Sequence, residues 1–164
     1  MANVKILTPS INRWQEVREL RLEALKNDPT SFSDTYEKSS TYPDTKWQER
    51  LQMAIEGVKS ITLYAEIDGH LIGQIGTFEK AGTMEVWGTY VKPEFRGKGI
   101  AKMLFEELFL RLKSLGHKKC ILSVNCINDH AICLYEKIGF VKTGEGEEEG
   151  ITHIKKVHFM EKSL

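Results

Sequence analysis

The residues of this chain that most directly suggest chemistry are Arg96-Gly97-Lys98-Gly99-Ile100-Ala101. They follow an extended run from Met84 to Val91 (MEVWGTYV) and a short KPEF turn, and they lead into an amphipathic segment that reaches Leu115. Glycines ahead of a helix let the backbone approach a ligand, and the unpaired N–H groups of the first helical turn, with the helix dipole, favour an anion. Arg96 and Lys98 put two cations beside those groups. The stretch reads as a phosphate-holding turn at a helix N-terminus. It is neither of the common nucleotide motifs: Lys102 stands where G-x-G-x-x-G requires its last glycine, and G-x-x-x-x-G-K-[ST] is absent. Taken alone, so short a motif is equally compatible with a solvated turn that uses glycine for its geometry.

Cysteine and histidine offer less. Cys126, His130 and Cys133 suggest a metal set, but only His130 and Cys133 form an i,i+3 pair and no fourth ligand is identifiable, so no metal is expected. Cys120, Cys126 and Cys133 are odd in number and lack C-x-x-C spacing, which fits reduced, buried thiols rather than a disulfide framework or a nucleophile.

The elements that must position the turn follow from periodicity. At 164 residues and 41% hydrophobic content, the chain suits a single domain, 1–164, with one core. Val4 to Thr8 reads as a first strand, and Ser10 as the cap of a helix from about Ile11 to Lys26, with Ile11, Trp14, Val17, Leu20 and Ala24 on one face. Asn27 to Asp44 is a polar loop carrying Phe32, Tyr36 and Tyr42. A second helix, capped at Asp44 or Thr45 and ending near Gly57, places Trp47, Leu51, Ala54 and Ile55 on its apolar side. Ser60 to Ile67 and His70 to Glu79 form a hairpin through Asp68-Gly69, with Gly73 and Gly76 marking a bulge or a close backbone approach. The helix after the phosphate turn carries Ile100, Leu104, Leu108, Leu112 and Leu115 and stops at Gly116. Lys119 to Val124, an almost continuous apolar run, suits a strand covered on both faces and parallel to Met84 to Val91. Asn128 caps a last helix, Asp129 to Ile138, which stops at Gly139; Phe140 to Gly144 and Thr152 to Lys162 are two final strands around an acidic loop.

Together, the Arg96 to Ala101 turn and the stretch NDHAICLYEKIGF from Asn128 to Phe140 resemble the signatures of the GNAT superfamily of N-acetyltransferases. Arg96, Gly99 and Ala101, behind a strand ending Tyr90-Val91 and Pro93-Glu94, match that family's R-x-x-G-x-A pyrophosphate signature. Asn128, Ala131, Leu134, Tyr135, Glu136, Lys137, Gly139 and Phe140 are similar to its N-x-x-A-x-x-L-Y-x-K-x-G-F element, in the right order and one helix and one strand downstream. The resemblance implies an α/β (α+β) fold: a mixed central sheet of about seven strands flanked by about four helices, in which the strands bearing the two motifs splay into an acyl-CoA slot. It further implies that the backbone of Arg96, Gly97, Lys98, Gly99, Ile100 and Ala101 holds the CoA pyrophosphate, that Tyr90 and Val91 track the pantetheine arm, and that Asn128 touches the arm or orders the last helix. A backbone N–H at Val91 would meet the thioester carbonyl as an oxyanion donor. Tyr135 corresponds to the tyrosine that donates to the departing sulfur, its alternative being a core aromatic. Glu85 stands on the strand where the family often carries a base, and it reads equally well as a solvated strand residue. Alternation puts Glu85, Trp87, Thr89 and Val91 on one face and Val86, Gly88 and Tyr90 on the other, unless a bulge intervenes.

The implied activity is acetyl-CoA-dependent acetylation of a primary amine, on a small molecule or a protein or peptide, by direct attack in a ternary complex. The alternative is a non-catalytic acyl-CoA-binding sensor or interaction module. Phe32, Tyr36, Glu37 and Trp87 are the candidate acceptor contacts. Glu145, Glu147, Glu148 and Glu149 read as a solvated loop tip or as a negative mouth that draws a cationic acceptor. Lys plus Arg, 23, balance Asp plus Glu, 23, which speaks against a nucleic-acid partner. No leader or membrane-spanning run is visible, so a cytoplasmic protein is expected. Exposed final strands are compatible with a homodimer.

Overall fold

A computed structural model describes residues 3–149 and 154–164 of the chain. In order, its elements are β1 (Lys5–Leu7), α1 (Trp14–Asn27), α2 (Tyr36–Ser40), α3 (Asp44–Glu56), β2 (Ser60–Ile67), β3 (His70–Lys80), β4 (Thr83–Val91), α4 (Ile100–Ser114), β5 (Lys119–Asn125), α5 (Asp129–Ile138), β6 (Val141–Glu149) and β7 (Ile154–Ser163). Among the described residues seven strands make one mixed sheet, ordered β1-β2-β3-β4-β5-β7-β6. The only parallel pair among the described residues is β4 with β5, the pair that brackets α4. This matches the expected fold class.

Strand alternation sorts the core onto the two faces of the sheet. Ile61, Leu63 and Ala65 of β2 join Met84 and Val86 of β4 under the apolar face of α4, formed by Ile100, Leu104, Phe105, Leu108 and Leu112. Tyr64, Leu71 and Tyr90 face the other way, onto Val17, Leu20, Ala24 and Leu25 of α1 and Leu51 of α3.

Several boundaries differ from the periodicity reading. Ser10 caps nothing with its side chain: Ile11–Arg13 is a single 3-10 turn whose Arg13 N–H donates to the Ser10 carbonyl, and α1 begins at Trp14. The polar segment 27–44 is not wholly loop, because Thr35 caps α2 by accepting from the Lys38 N–H. Ile55 and Leu115 are 41% and 49% exposed, so both lie off the packed helix faces. β5 is covered on one face only: Cys120, Leu122 and Val124 are buried while Ile121, Ser123 and Asn125 are partly open. The largest difference is the acidic run. Glu145, Glu147 and Glu148 belong to β6, opposite His158, Lys156 and Lys155 of β7, and cross-strand charge pairing accounts for the strand continuing through them. Thr152, expected to begin the last strand, lies outside the described residues.

Two irregularities shape the site. Gln74 pairs with Tyr90 and Gly76 with Trp87, so Gly88 and Thr89 together face Ile75 alone. Gly88 takes φ of 66°, a left-handed value that glycine adopts without strain, and the extra residue makes a β-bulge. The bulge inverts the simple alternation. Val91 lies with Met84 and Val86 in the α4-side core while Tyr90 faces α1, which corrects the expectation that Val91 shares a face with Glu85 and Trp87. Beyond Met84–Cys120 and Glu85–Ile121, β4 and β5 no longer pair, and the sheet opens between them.

Candidate active site

Where β4 and β5 part, a cleft of about 1160 Å³ runs from the start of α4 to the segment 28–34 and the paired ends of β6 and β7. Its first half is made of backbone. Gly97 and Gly99 have φ of 76° and 79°, with nothing within 4 Å of where a Cβ would stand, so the turn presents open main chain. Gly99 caps α4 without any side-chain bond, and no acidic residue occupies the first turn. The first-turn N–H groups are therefore free to take an anion, and Gly97, Gly99, Ile100 and Ala101 line the cleft. Arg96 acts on the loop itself: Nε donates to the Val91 carbonyl at 2.8 Å and Nη2 pairs with Asp28 at 2.6 Å. Lys98 is not among the lining residues; its ammonium donates to the Glu94 carbonyl and lies over the Phe95 ring.

The register of β3 and β4 sets the direction of the Val91 amide. Lys92 N–H donates to the Ile72 carbonyl, so the neighbouring pair Gly73–Val91 is the non-hydrogen-bonded one of an antiparallel ladder. Val91 thus turns its N–H and C=O away from β3, toward the gap that β5 has left. Its carbonyl is taken by Arg96. Tyr90, in the hydrogen-bonded pair with Gln74, turns its main chain to β3, which corrects its expected place along the pantetheine arm; its hydroxyl donates to Glu23 and accepts from Asn27, both at 2.9 Å, and burial pushes its pKa up to about 12.

Asn128 accepts from the Ala131 N–H at 3.1 Å, capping α5, and its Nδ2 donates to Ser31 Oγ at 3.2 Å. About two helical turns on, Tyr135 stands edge-on to Phe105 and Phe140, with centroids 5.8 and 6.0 Å away, and lines the cleft. Burial raises its pKa, and a hydrogen bond with Thr89 of the bulge opposes the rise. Glu85 is buried to 9% exposure and lines the cleft one pleat before Trp87; Lys80 Nζ lies 2.9 Å from Oε2, and this pairing raises the lysine pKa.

Of the four acceptor candidates, Phe32 and Trp87 line the cleft, whereas Tyr36 and Glu37 do not. Both are exposed on α2, with Tyr36 beneath the Lys26 ammonium. The sequence reading passed over several lining residues. Ser123 Oγ donates to Glu148 Oε2 at 2.8 Å, and Lys155 donates to the carbonyls of Thr30 and Phe32, tying β7 to the segment across the cleft. Arg21 reaches in from α1, its Cζ 4.6 Å from the Phe32 centroid and 5.3 Å from that of Trp87. It had a signal: Val17, Arg21 and Leu25 are spaced by four, and the two apolar ones are buried, so a cation interrupts the packed stripe. Ser123 and Lys155 had none, because their places beside Glu148 of the acidic run and the segment 28–34 depend on strand order.

Comparison with known proteins places these features. The model of the acetyltransferase (GNAT) family matches residues 14–140. A Bacillus subtilis (strain 168) protein named, provisionally, as a ribosomal protein bS18-alanine N-acetyltransferase is 27% identical over 132 residues, covering 78% of this chain and 82% of its own. The structure of PaiA N-acetyltransferase from Thermoplasma acidophilum in complex with coenzyme A superposes with a TM-score of 0.81 at 25% identity, over 99% of both chains. A GNAT-family acetyltransferase from Streptococcus pneumoniae reaches 0.84 at 20% identity, also over 99% of both.

Proposed function

Because the chain belongs to the acetyltransferase (GNAT) family, we propose that it transfers the acetyl group of acetyl-CoA to a primary amine, on a small molecule or a peptide, by direct attack in a ternary complex. The observation that carries this reading is a convergence at the end of β4: an uncapped helix N-terminus, an amide N–H turned into an opened sheet, and the Tyr135 phenol, all on one cleft.

The residues fit acetyl-CoA. The amides of 97–101 would hold its pyrophosphate, with Arg96 keeping the loop in place through the Val91 carbonyl; Val91 offers its N–H to the thioester end of the pantetheine arm, and Asn128 orders α5 beside it. When bound, acetyl-CoA supplies a thioester carbon that forms the new C–N bond as the C–S bond breaks, so that CoA leaves as its thiol. The Val91 N–H stabilises negative charge developing on the carbonyl oxygen. Tyr135 keeps its proton at neutral pH, because burial raises its pKa, and can hand that proton to the sulfur. An amine with a pKa of about 10.4 arrives protonated and must lose two protons overall. One replaces the proton given up by Tyr135, and the other passes through Glu85, directly or by water, to solvent. Phe32 and Trp87 wall the acceptor side.

The test is thiol release from acetyl-CoA by the purified protein, supplied with a panel of amines, amino acids and peptides. Release that requires an acceptor, with an acetylated product of matching mass, is expected. Thermal stabilisation by acetyl-CoA without release from any acceptor would instead identify a sensor.

A further inference from the structure

Arg21 lines the cleft, and the acyl-transfer machinery leaves it unused. It projects from α1 between the Phe32 and Trp87 rings, and Nη1 is buried without a hydrogen-bond partner. A Cβ built on Gly88 of the bulge would stand 3.4 Å from that same nitrogen, so the cation lies against the strand where β4 departs from regular pairing. The obvious counter-charge, Asp34, favours the Arg21 cation from a distance but makes no ion pair with it among the described residues. Asp34, also on the cleft wall, accepts from Ser39 Oγ at 2.7 Å, the Thr35 N–H at 3.1 Å and Tyr42 Oη at 3.4 Å. The other acids on the cleft are engaged elsewhere: Asp28 pairs with Arg96, Glu85 with Lys80, and Glu148 accepts from Ser123. Burial lowers the Arg21 pKa to about 10, which still leaves it charged at neutral pH. With Nη1 desolvated and unpartnered, the charge of Asp34 and the two aromatic faces compensate the cation only in part.

We propose that Arg21 anchors the carboxylate of the acceptor, and hence that the acceptor is a free amino acid rather than a polyamine or a peptide N-terminus. This rests on the acetyltransferase reading above. The rings of Phe32 and Trp87 hold the guanidinium while its planar fork seats a carboxylate in bidentate fashion. Because Nη1 abuts the bulge that carries Thr89, the hydrogen-bond partner of Tyr135, an amine one or two bonds from that carboxylate falls beside the reacting end of the slot. Peptide N-termini carry an amide at this position, and polyamines carry a second cation facing Arg21.

The experiment compares each of the twenty L-amino acids with its C-terminal amide, alongside spermidine, O-phosphoethanolamine and an alanine-initiated peptide, by thiol release and product mass. At least one amino acid is expected to exceed its amide in kcat/KM about a hundredfold, since the amide leaves the buried cation unpaired. Arg21→Gln should collapse that ratio by tenfold or more and Arg21→Lys should retain part of it. Because both acceptors are compared on the same variant, partial loss of folded protein cancels from the ratio. Preference for spermidine, the peptide or phosphoethanolamine, or equal use of acid and amide, overturns the carboxylate anchor while leaving the acetyltransferase reading intact. So does an acid-to-amide ratio that survives Arg21→Gln. Absence of release from every acceptor overturns both.

Discussion

Tyr135 has its ring packed against Phe105 and Phe140 and its hydroxyl against Thr89, and burial outweighs the hydrogen bond so that its pKa is raised. The sign matters for the pH profile. A phenol with a raised pKa keeps its proton below its ordinary value of about 10 and loses it only as pH climbs through the higher one. Donation to the leaving sulfur should therefore persist through mildly alkaline conditions. For Tyr135→Phe we expect kcat to fall about a hundredfold with its alkaline limb abolished, and the thermal shift produced by acetyl-CoA to be retained. Unchanged turnover would remove the acid role. The candidacy of Tyr135 was legible because it sits at fixed spacing from Asn128 and Gly139 within one helix. Its partner Thr89 was not, because only the bulge brings that hydroxyl to α5.

At the scale of elements, two glycines do different work. Gly76 of β3 lies beneath the indole of Trp87, whose ring carbons would stand 2.6 and 2.8 Å from an added Cβ. Gly76→Ala should cost about 1–3 kcal/mol through overpacking, visible as a lower urea midpoint, and should raise the acceptor KM by displacing Trp87 while leaving acetyl-CoA binding in place. Gly99 has no neighbour to strike but a φ of 79°. Gly99→Ala should therefore cost only the left-handed strain of about 1–2 kcal/mol, with acetyl-CoA affinity falling as the turn shifts. Calorimetric titration of both variants with CoA separates the two outcomes; weakened CoA binding in Gly76→Ala would show that the halves of the cleft are not independent. Gly76 was flagged by being a glycine inside a strand pattern, although only the register identifies Trp87 as what approaches it.

Across the whole molecule, Phe105 connects core and cleft. It is fully buried in α4 and meets Phe109, Tyr135 and Phe140, so the packing of α4 sets where α5 holds its phenol. Phe105→Ala should destabilise by about 3–5 kcal/mol in equilibrium urea unfolding. A loss under about 1 kcal/mol would mean that the ring cluster is not what fixes α5. Features made by neighbours along the chain are legible in residue type and order: the Asp68-Gly69 hairpin, the glycine stops at Gly57 and Gly139, the Asn128 cap and the open turn at Gly97 and Gly99. Backbone sterics and one-turn hydrogen bonds act over a few residues, so residue type and spacing carry them. Features that require distant segments to meet emerge only in the folded molecule: the parity reversal at Gly88, the separation of β4 from β5, the insertion of β7 between β5 and β6, and the placing of the acidic run in a strand. Arg21 belongs to both. Its position in an apolar stripe is a fact of sequence, but that its buried nitrogen lacks a partner depends on where Phe32, Asp34, Trp87 and Gly88 come to rest around it.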